Sequence, residues 1–274
     1  MGYRFRYGIL GAGAVSKSLV GRLPINMRTL GPVAAVSFRV ASRIANTLHA
    51  GYAARSADEL NSAAVVLVNS PPDQAGLLLD MLEAADIQWD GKAVVFCDCD
   101  DAPEVRARLR ARGASTAVAR HFGIPGRILV AGNGAALTTA LRISRELKLK
   151  PVGILPGAPD VFDAAVTLAT AAITPLIDRA AGLLRDAGIR DAEAARIASA
   201  LFVQTAGDYA HSGKQSWAWY TRQPAAERIE GQVAAAGAHL GPALRELLLF
   251  GLETFAKYPD LERELRDAAD APEI

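Results

Sequence analysis

The sequence has few of the residues that indicate disulfide frameworks, metal centres or strongly charged partners. Its 274 residues include two cysteines and four histidines, and 6% are aromatic. Two cysteines cannot build a disulfide framework, and isolated histidines lack the ligand spacing of a zinc site. Lysine and arginine total 30 against 29 aspartates and glutamates, so no net charge attracts nucleic acid or an anionic membrane. These absences predict no metal, no nucleic-acid partner and no membrane partner.

Long apolar runs are also lacking. No uninterrupted apolar stretch reaches the roughly 20 residues that a membrane-spanning helix needs. Arg4 and Arg6 precede an apolar stretch that imitates a signal peptide, but glycines interrupt it and it continues as a strand, a turn and a helix. We therefore expect a cytoplasmic protein. With 51% hydrophobic and 22% charged residues, the chain is typical of a globular protein with a well-buried core.

The segment Tyr7–Ser16 is the most informative in the chain. An apolar strand runs into Gly11 and Gly13, and a helical pattern follows. Gly11 allows a tight turn, Gly13 lets the backbone approach a pyrophosphate, and the amides from Ala14 and Val15 onward offer an anion site. The third glycine of this pattern is absent. The segment predicts the start of a dinucleotide-binding domain, with a plain strand-to-helix turn as the alternative.

Short apolar runs alternate with helical patterns over the first 157 residues. Such alternation predicts a doubly wound α/β sheet of the Rossmann type, whose ligand site lies beyond the carboxyl ends of the strands. We interpret the turn Gly132-Asn133-Gly134 as structural, with Asn133 near a helix start. The strands predicted after the first are 33–40, 64–68, 93–97, 115–119, 127–131 and 151–155, and the helices between them include 56–62, 74–85 and 135–148.

The sequence changes character near Pro156–Pro159, after which it is rich in alanine and leucine with helical periodicity. We place the domain boundary there, giving a Rossmann domain of residues 1–157 and an all-helical domain of residues 158–274. The first predicted helix of the second domain, 160–187, should be kinked at Pro175. It is apolar nearly all round, so it must be buried on several sides, inside the domain or against another subunit. A homodimer is therefore expected. The other helices predicted in this domain are 192–210 and 225–257.

The residues after the predicted second strand indicate the nucleotide. An acid at that position bonds the ribose hydroxyls of NAD, whereas an arginine with small polar groups suits NADP. The strand predicted to end at Val40 is followed by Ser42 and Arg43 and by no acid. This favours NADP, through charge-assisted bonds to its 2′-phosphate. An exposed arginine on a loop is the alternative.

Residues at other strand ends are candidates for the same cleft. Asn69, Ser70 and Pro71 follow the strand at 64–68, and we expect them to border the nicotinamide. His121 follows the strand at 115–119 and is expected to be structural or to contact the cofactor.

Two cysteines flank an acid just after the strand at 93–97. Cys97, Asp98 and Cys99 supply two thiolates and a carboxylate, which a metal ion could bind. A zinc site normally needs more ligands at recognisable spacing. We therefore favour Cys97 as the end of a core strand and predict no metal there.

In layout the chain resembles two-domain reductases, particularly pyrroline-5-carboxylate reductase and the imine reductases, of the 6-phosphogluconate dehydrogenase C-terminal-like superfamily. The resemblance implies a Rossmann domain followed by a helical dimerisation domain, with NADPH as the hydride donor. The Gly-Ser-Gly-Pro and Ser-Pro-Gly-Gly-Thr-Thr signatures of pyrroline-5-carboxylate reductase are absent, so the resemblance implies a scaffold and not a substrate. The residues that carry it are Gly8–Val15, Ser42-Arg43, Val68–Pro72, Phe162–Ala165 and Thr174-Pro175.

Hydride transfer to C=N or C=O needs a proton donor near the reacting atom and exclusion of water. Asp163 is the first candidate, because the resemblance implies a proton-donating Asp or Tyr at this position of the imine reductases. Burial at the domain interface would raise its pKa towards neutrality. The alternative is an acid in the first turn of a helix, favoured there by the helix dipole.

A second candidate cluster contains His211 and Lys214, followed by Trp217, Trp219 and Tyr220. The aromatic side chains could wall a pocket and exclude water from it. The alternative is a helix C-terminus with His211 and Lys214 facing its dipole and the aromatic side chains packed in a subunit interface.

Together these features predict an NADPH-dependent reductase of a small imine or carbonyl compound. A carbonyl reductase of the ketopantoate type, with Lys214 as the acid, is a rival within the enzyme class. A non-catalytic NADP-binding sensor or assembly protein is a rival from another class, because the sequence contains no secure catalytic dyad.

Overall fold

The computed structural model describes residues 5–12, 15, 18–24, 29–71, 74–99, 103–155, 158–217, 225–255 and 258–270. The chain divides into two compact units, Met1–Val166 and Thr167–Ile274. The division falls inside a helix, Pro159–Ala169, that begins just after the boundary proposed from the sequence.

The first unit is built on one sheet of eight strands in the order β3-β2-β1-β4-β5-β6-β7-β8. Neighbouring strands are parallel except for β6 and β7, which are antiparallel. The predicted Rossmann-type α/β fold with a helical C-terminal part is confirmed. The strands are β1 Phe5–Gly11, β2 Leu30–Ala34, β3 Tyr52–Ala53, β4 Ala63–Asn69, β5 Ala93–Cys97, β6 Ser115–Arg120, β7 Arg127–Gly132 and β8 Lys150–Gly153.

Both faces of this sheet are buried, because alternate residues of the central strands enter two different cores. In β1, Tyr7 and Ile9 pack on one face and Leu10 on the other. In β5, Val95 packs in the first of these cores and Phe96 in the second. Strands buried on both sides read as continuous apolar runs, which is why the sequence predicted them. The helices of this unit are α1 Leu19–Arg22, α2 Phe38–Leu48, α3 Ala75–Ala84, α4 Pro103–Ala111, α5 Gly134–Glu146 and α6 Pro159–Ala169, with a 3₁₀ turn at Ala57–Ser62.

The prediction of a strand over residues 33–40 is wrong. The strand β2 ends at Ala34, and helix α2 begins at Phe38 with Ser37 as its N-cap, whose side chain accepts a hydrogen bond from the N–H of Val40. The β-forming residues after Ala34 suggested a longer strand, but helix α2 instead buries Ala41 and Ile44 against the sheet. Tertiary packing has overridden local propensity here.

The second unit consists of helices α7 Ile173–Asp186, α8 Asp191–Ser212, α9 Ala226–Ala235, α10 Gly237–Phe255 and α11 Pro259–Asp270, with a 3₁₀ turn at Gly213–Ser216. Helices α7 and α8 pack together, and α9, α10 and α11 form a second group. This second group has its own core, which Trp217 contacts. The core residues are Ile229, Leu249, Leu252, Leu261 and Leu265.

The single helix predicted at 160–187 is two helices, α6 and α7, separated by a turn at 170–172. Pro175 does not kink a continuous helix as predicted, because the chain breaks before it and Pro175 falls in the first turn of α7. Backbone N–H groups of a first turn have no intrahelical partner, so proline costs little there.

The stretch Pro159–Asp186 has the length and composition of a membrane span, with a mean hydropathy of 1.5 over an 18-residue window that is 0% buried. Its two helices have 11 and 14 residues. At about 1.5 Å per residue, neither reaches across the roughly 30 Å of a bilayer core. An uncovered apolar surface of this kind is typical of an interface with another protein surface.

A buried lysine links the N-terminal ends of β4 and β5 through hydrogen bonds. Lys92, which precedes β5, is 1% exposed, and its Nζ donates hydrogen bonds to the carbonyls of Ala63 at 2.6 Å and Asn61 at 2.9 Å. Burial lowers the pKa of Lys92 from its usual value of 10.5 to about 8.

We predict that Lys92→Met lowers the free energy of unfolding by about 1–3 kcal/mol, because these buried carbonyls lose their donor. Chemical denaturation at pH 7 measures this, and Lys150→Met, at an exposed position, should change little. The folded protein releases the Lys92 proton at a lower pH than the unfolded chain. The stability of the wild type relative to Lys92→Met should therefore rise between pH 8 and pH 10.5. If the difference in unfolding free energy between wild type and Lys92→Met does not change over this pH range, the lowered pKa of Lys92 is contradicted.

Candidate functional site

The candidate site lies at the carboxyl edge of the parallel strands. The strand order reverses beside β1, which pairs with β2 on one side and β4 on the other. Connections that leave to opposite sides of a sheet open a crevice at this point, and ligands of doubly wound folds bind there. The residues that follow β1, β2, β4, β5 and β6 are therefore the ones that can reach a ligand.

The glycine turn follows β1 as expected. A Cβ on Gly11 would lie 3.0 Å from Ile44 Cδ1 of helix α2, so a larger residue would require the Ile44 side chain to shift. Ala12 donates its N–H to the carbonyl of Asn69 at 2.9 Å, which closes the turn against β4. Val15 is buried. Two predicted contacts, Gly13 and Ala14, lie outside the described residues.

Ser42 and Arg43 are not at the end of β2. Both lie inside helix α2, where they line an open groove with Arg39, Asn46, Thr47 and His49. The error in the strand boundary moved the predicted 2′-phosphate contacts by several residues.

The loop after β2 consists of Ala35, Val36 and Ser37, and helix α2 then begins with Phe38 and Arg39. Val36 is 43% exposed and Phe38 55% exposed, and Arg39 is also exposed. A cavity of about 180 Å³ opens beside this loop. No acid is present in the loop, so the argument that favoured NADP applies to Ser37 and Arg39.

Asn69, Ser70 and Pro71 follow β4, facing the turn after β1. Asn69 is 5% exposed and Ser70 2% exposed. The Ser70 hydroxyl donates to the carbonyl of Pro71 at 2.8 Å. Among the described residues, Asn69 Oδ1 is buried and has no hydrogen-bond partner. A buried acceptor without a donor is uncommon and typical of sites that complete their hydrogen bonds with a ligand.

The ends of β5 and β6 bring three polar side chains together. Asp98 lies 3.0 Å from Nδ1 of His121, and Arg22 of helix α1 lies 3.2 Å from Nε2 of the same ring. Asp98 Oδ2 also accepts the N–H of Leu19 at 2.9 Å. His121 therefore has a structural contact on each side of its ring.

Asp163 forms an ion pair with Arg120, the last residue of β6. The Asp163 side chain is 46% exposed and that of Arg120 is 19% exposed. Next to this pair, the rings of Phe122 and Phe162 meet edge to face at 5.2 Å. Asp163 lies beyond the first turn of α6, where the acid is Asp160. The ion pair ties helix α6 to the carboxyl edge of the sheet.

His211 and Lys214 are in the second unit, at the end of α8 and in the following 3₁₀ turn, and both are exposed. Trp217 stacks on Phe255 at 5.2 Å and packs on the core of α9 to α11. Trp217 is therefore a core contact of the helical unit. Trp219 and Tyr220 lie outside the described residues.

The side chains of Cys97 and Cys99 are buried. Burial raises the pKa of the Cys97 thiol well above its usual range, and the neighbouring charges of Asp98 and Cys99 raise it further. Such a thiol is a poor nucleophile and a poor metal ligand. Within the described ranges, no group of three or more His, Cys, Asp or Glu side chains could hold a metal ion.

The second glycine turn is built into the sheet. Asn133 is the N-cap of α5, and its side-chain Oδ1 accepts the N–H of Thr116 at 3.0 Å. The Ser115 hydroxyl accepts the N–H of Ala136 at 3.0 Å at the start of the same helix. These contacts give Asn133 a structural role.

From the sequence we did not single out Ser37, Arg39 or Arg120, and we considered Asp98 only as a metal ligand. The helical spacing of apolar residues after Ser37 was the available signal for Ser37 and Arg39. The contacts of Asp98 and Arg120 join residues 23 to 79 positions apart, so no local pattern indicates them.

No protein-family model matches this sequence, and no curated protein matches it. Solved structures do match over nearly the full chain. An imine reductase from Aspergillus terreus, solved in complex with NADPH4, is 17% identical with a TM-score of 0.62, covering 100% of this chain and 98% of that one. An imine reductase from Myxococcus stipitatus in complex with NADP+ is 15% identical with a TM-score of 0.59, covering 96% and 94%.

A reductive aminase from Aspergillus terreus, solved in complex with NADPH and ethyl levulinate, is 16% identical with a TM-score of 0.58 and covers 96% of this chain and 99% of that one. At these identities the comparison concerns the fold. The expected likeness to the imine-reductase fold, with a Rossmann part followed by helices, is confirmed.

Proposed function

We propose that this protein is an NADPH-dependent reductase that acts on the C=N bond of a small imine. The observation that carries the proposal is the Asp163–Arg120 ion pair, which puts a carboxylate of the first helix after the sheet at the carboxyl edge. Support also comes from the fold shared with imine reductases solved with NADPH4 or NADP+.

The residues at the carboxyl edge fit a dinucleotide. The exposed Val36 and Phe38 offer apolar surface to an adenine ring. Arg39, with Ser37 beside it, suits a 2′-phosphate through charge-assisted hydrogen bonds. The unpaired Asn69 Oδ1 offers an acceptor on the nicotinamide side. We therefore move the proposed 2′-phosphate contact from Ser42 and Arg43 to Ser37 and Arg39, at the N-terminus of helix α2.

Reduction of C=N adds a hydride to carbon and a proton to nitrogen. The reduced nicotinamide supplies the hydride when the cofactor is bound. Asp163 then acts on the nitrogen: as a carboxylate paired with Arg120, it attracts and orients a protonated imine, whose N–H⁺ already carries the proton. This modifies the expectation of a neutral, buried proton donor, because the Asp163 side chain is 46% exposed and has a cationic partner.

The same ion pair favours an imine over a carbonyl substrate. A carbonyl oxygen becomes an alkoxide and needs a donated proton, which a carboxylate paired with arginine does not carry. A carbonyl reductase would need another acid, for which Lys214 is the candidate. We rank the carbonyl reaction second.

We also propose a homodimer formed through the helical part of the chain, in the cytoplasm. Large apolar side chains of α6, α8 and α10 are uncovered, and a second copy is the simplest surface to cover them. A chain with two cysteines cannot build a disulfide framework, which fits a reducing compartment. The uncovered residues are Val161 at 71%, Leu168 at 67%, Val203 at 73%, Tyr209 at 56% and Phe250 at 67% exposed.

The cofactor is tested by comparing the dissociation constants of NADPH and NADH. We expect a strong preference for NADPH, and Arg39→Ala should weaken NADPH binding about tenfold or more while leaving NADH unchanged, because a charged hydrogen bond contributes about 1.5–3 kcal/mol. Arg43→Ala is the matched control on the same helix and should have a smaller effect. Equal affinity of the wild type for both nucleotides contradicts the NADPH assignment.

Turnover is tested with NADPH and a panel of cyclic imines, 2-oxo acids and aldehydes, by following absorbance of the reduced nicotinamide. We expect oxidation with imines, and a loss of roughly 100-fold or more in kcat for Asp163→Asn, with NADPH affinity retained. Asp160→Asn, one turn earlier, is the control and should stay active. Binding of NADPH without turnover of any compound would instead favour the non-catalytic sensor.

The dimer is tested by light scattering after gel filtration. A dimer should have twice the chain mass of 28.8 kDa. Val203→Asp places a charge in the proposed interface and should shift the mass towards the monomer. Leu77→Asp, at an exposed apolar residue of the sheet unit, is the control. A monomeric wild type at micromolar concentration would reject the dimer.

A further inference from the structure

Asp98 has a backbone conformation that few residues with a Cβ adopt. Its φ is +49°, in the left-handed region, and it directly follows the buried strand β5. Its N–H donates to the carbonyl of Ala119 at 3.0 Å, which extends the β5–β6 pairing by one step. Aspartate and asparagine tolerate this region better than most residues, but the conformation still persists only where surrounding contacts hold it.

Both carboxylate oxygens of Asp98 accept hydrogen bonds from other segments. Oδ2 accepts the backbone N–H of Leu19, the first residue of α1, at 2.9 Å. Oδ1 accepts the backbone N–H of His121 at 2.9 Å and lies 3.0 Å from Nδ1 of the same residue. One side chain therefore holds the segment after the glycine turn and the loop after β6 to the end of β5.

The surroundings of His121 determine which ring nitrogen carries the proton. Nε2 lies 3.2 Å from Nη1 of Arg22, and a guanidinium only donates, so Nε2 must accept. Nδ1 must then carry the hydrogen and donate it to Asp98. This hydrogen-bond geometry favours the Nδ1–H tautomer, with the ring held between Asp98 and Arg22.

We propose that Asp98 is a positioning residue for the cofactor site: with His121 and Arg22 it fixes helix α1, and with it the turn that begins at Gly11, without touching the cofactor. This rests on the proposed function, because it needs a nucleotide at that turn. A turn held in place before binding loses less conformational entropy when the nucleotide binds, which raises affinity.

The first test uses the protein without cofactor. In ¹⁵N-detected NMR of the imidazole at neutral pH, His121 should be the Nδ1–H tautomer, and Arg22→Ala should weaken that preference because Nε2 loses its donor. An Nε2–H tautomer in the wild type would overturn the network. The wild-type tautomer can be measured whether or not the protein binds NADPH. It therefore still tests the hydrogen-bond network of His121 if Asp98→Asn fails to fold.

The second test compares Asp98→Asn with Asp80→Asn, an exposed acid on α3, as a matched control. Asparagine keeps the size and tolerates the backbone conformation, but it replaces one acceptor oxygen with a donor. We expect NADPH to bind about tenfold more weakly to Asp98→Asn, because charge-assisted hydrogen bonds that hold helix α1 are lost, whereas kcat at saturating NADPH should change less because the Asp163–Arg120 ion pair is retained. The control should bind as the wild type does. Unchanged NADPH affinity in Asp98→Asn would overturn the positioning role and leave the proposed function intact.

If the wild type binds no NADPH, the proposed function fails, and hydrogen exchange of the peptide containing α1 then decides the role of Asp98. Asp98→Asn should exchange about tenfold faster in that peptide than Asp80→Asn, because the Leu19 N–H loses its acceptor. Equal exchange rates would overturn the proposal that Asp98 holds this helix.

Discussion

The parallel pairing of β1 with β4 is the interaction on which the rest of this structure depends. It runs from Phe5 opposite Ala63 to Gly11 opposite Asn69. The strand order reverses at this pair, so the chain leaves the sheet on both sides and a crevice opens where the two strands end. The hydrogen bond from Ala12 to Asn69 continues the pairing into that crevice. A shift of this register would separate the glycine turn from the polar residues after β4.

Around that pair, the carboxyl edge holds two charged arrangements with different tasks. Asp98 links β5, the loop after β6 and helix α1, and we propose that it acts on the side of the nucleotide phosphates. Asp163 pairs with Arg120, and we propose that it acts on the substrate. Arg120 ends β6 and His121 follows it, so neighbouring residues supply one partner to each arrangement. A carboxylate with an arginine partner suits a cationic imine better than a neutral carbonyl.

The strands that the sequence predicted well, such as β4 and β5, are buried on both faces and read as unbroken apolar runs. The prediction failed at β2, where residues after Ala34 have strand propensity but form a loop and a helix. Ser37, followed by apolar Ala41, Ile44 and Ala45, was the helix signal that the β-forming residues obscured. That error displaced the proposed 2′-phosphate contact, because the contact depends on where the strand ends.

The amino-acid sequence by itself determined the Rossmann class, the glycine turn at Gly11 and the change to an all-helical part, because the local spacing and composition of residues indicate each of them. Only the tertiary structure decided that Asp163 has a cationic partner, that Asp98 holds helix α1, and that Trp217 belongs to a core. These contacts join residues far apart in the chain, and their geometry is set by the register of the sheet and the packing of helices. Local pattern carries no information about such pairs until the strands are placed side by side.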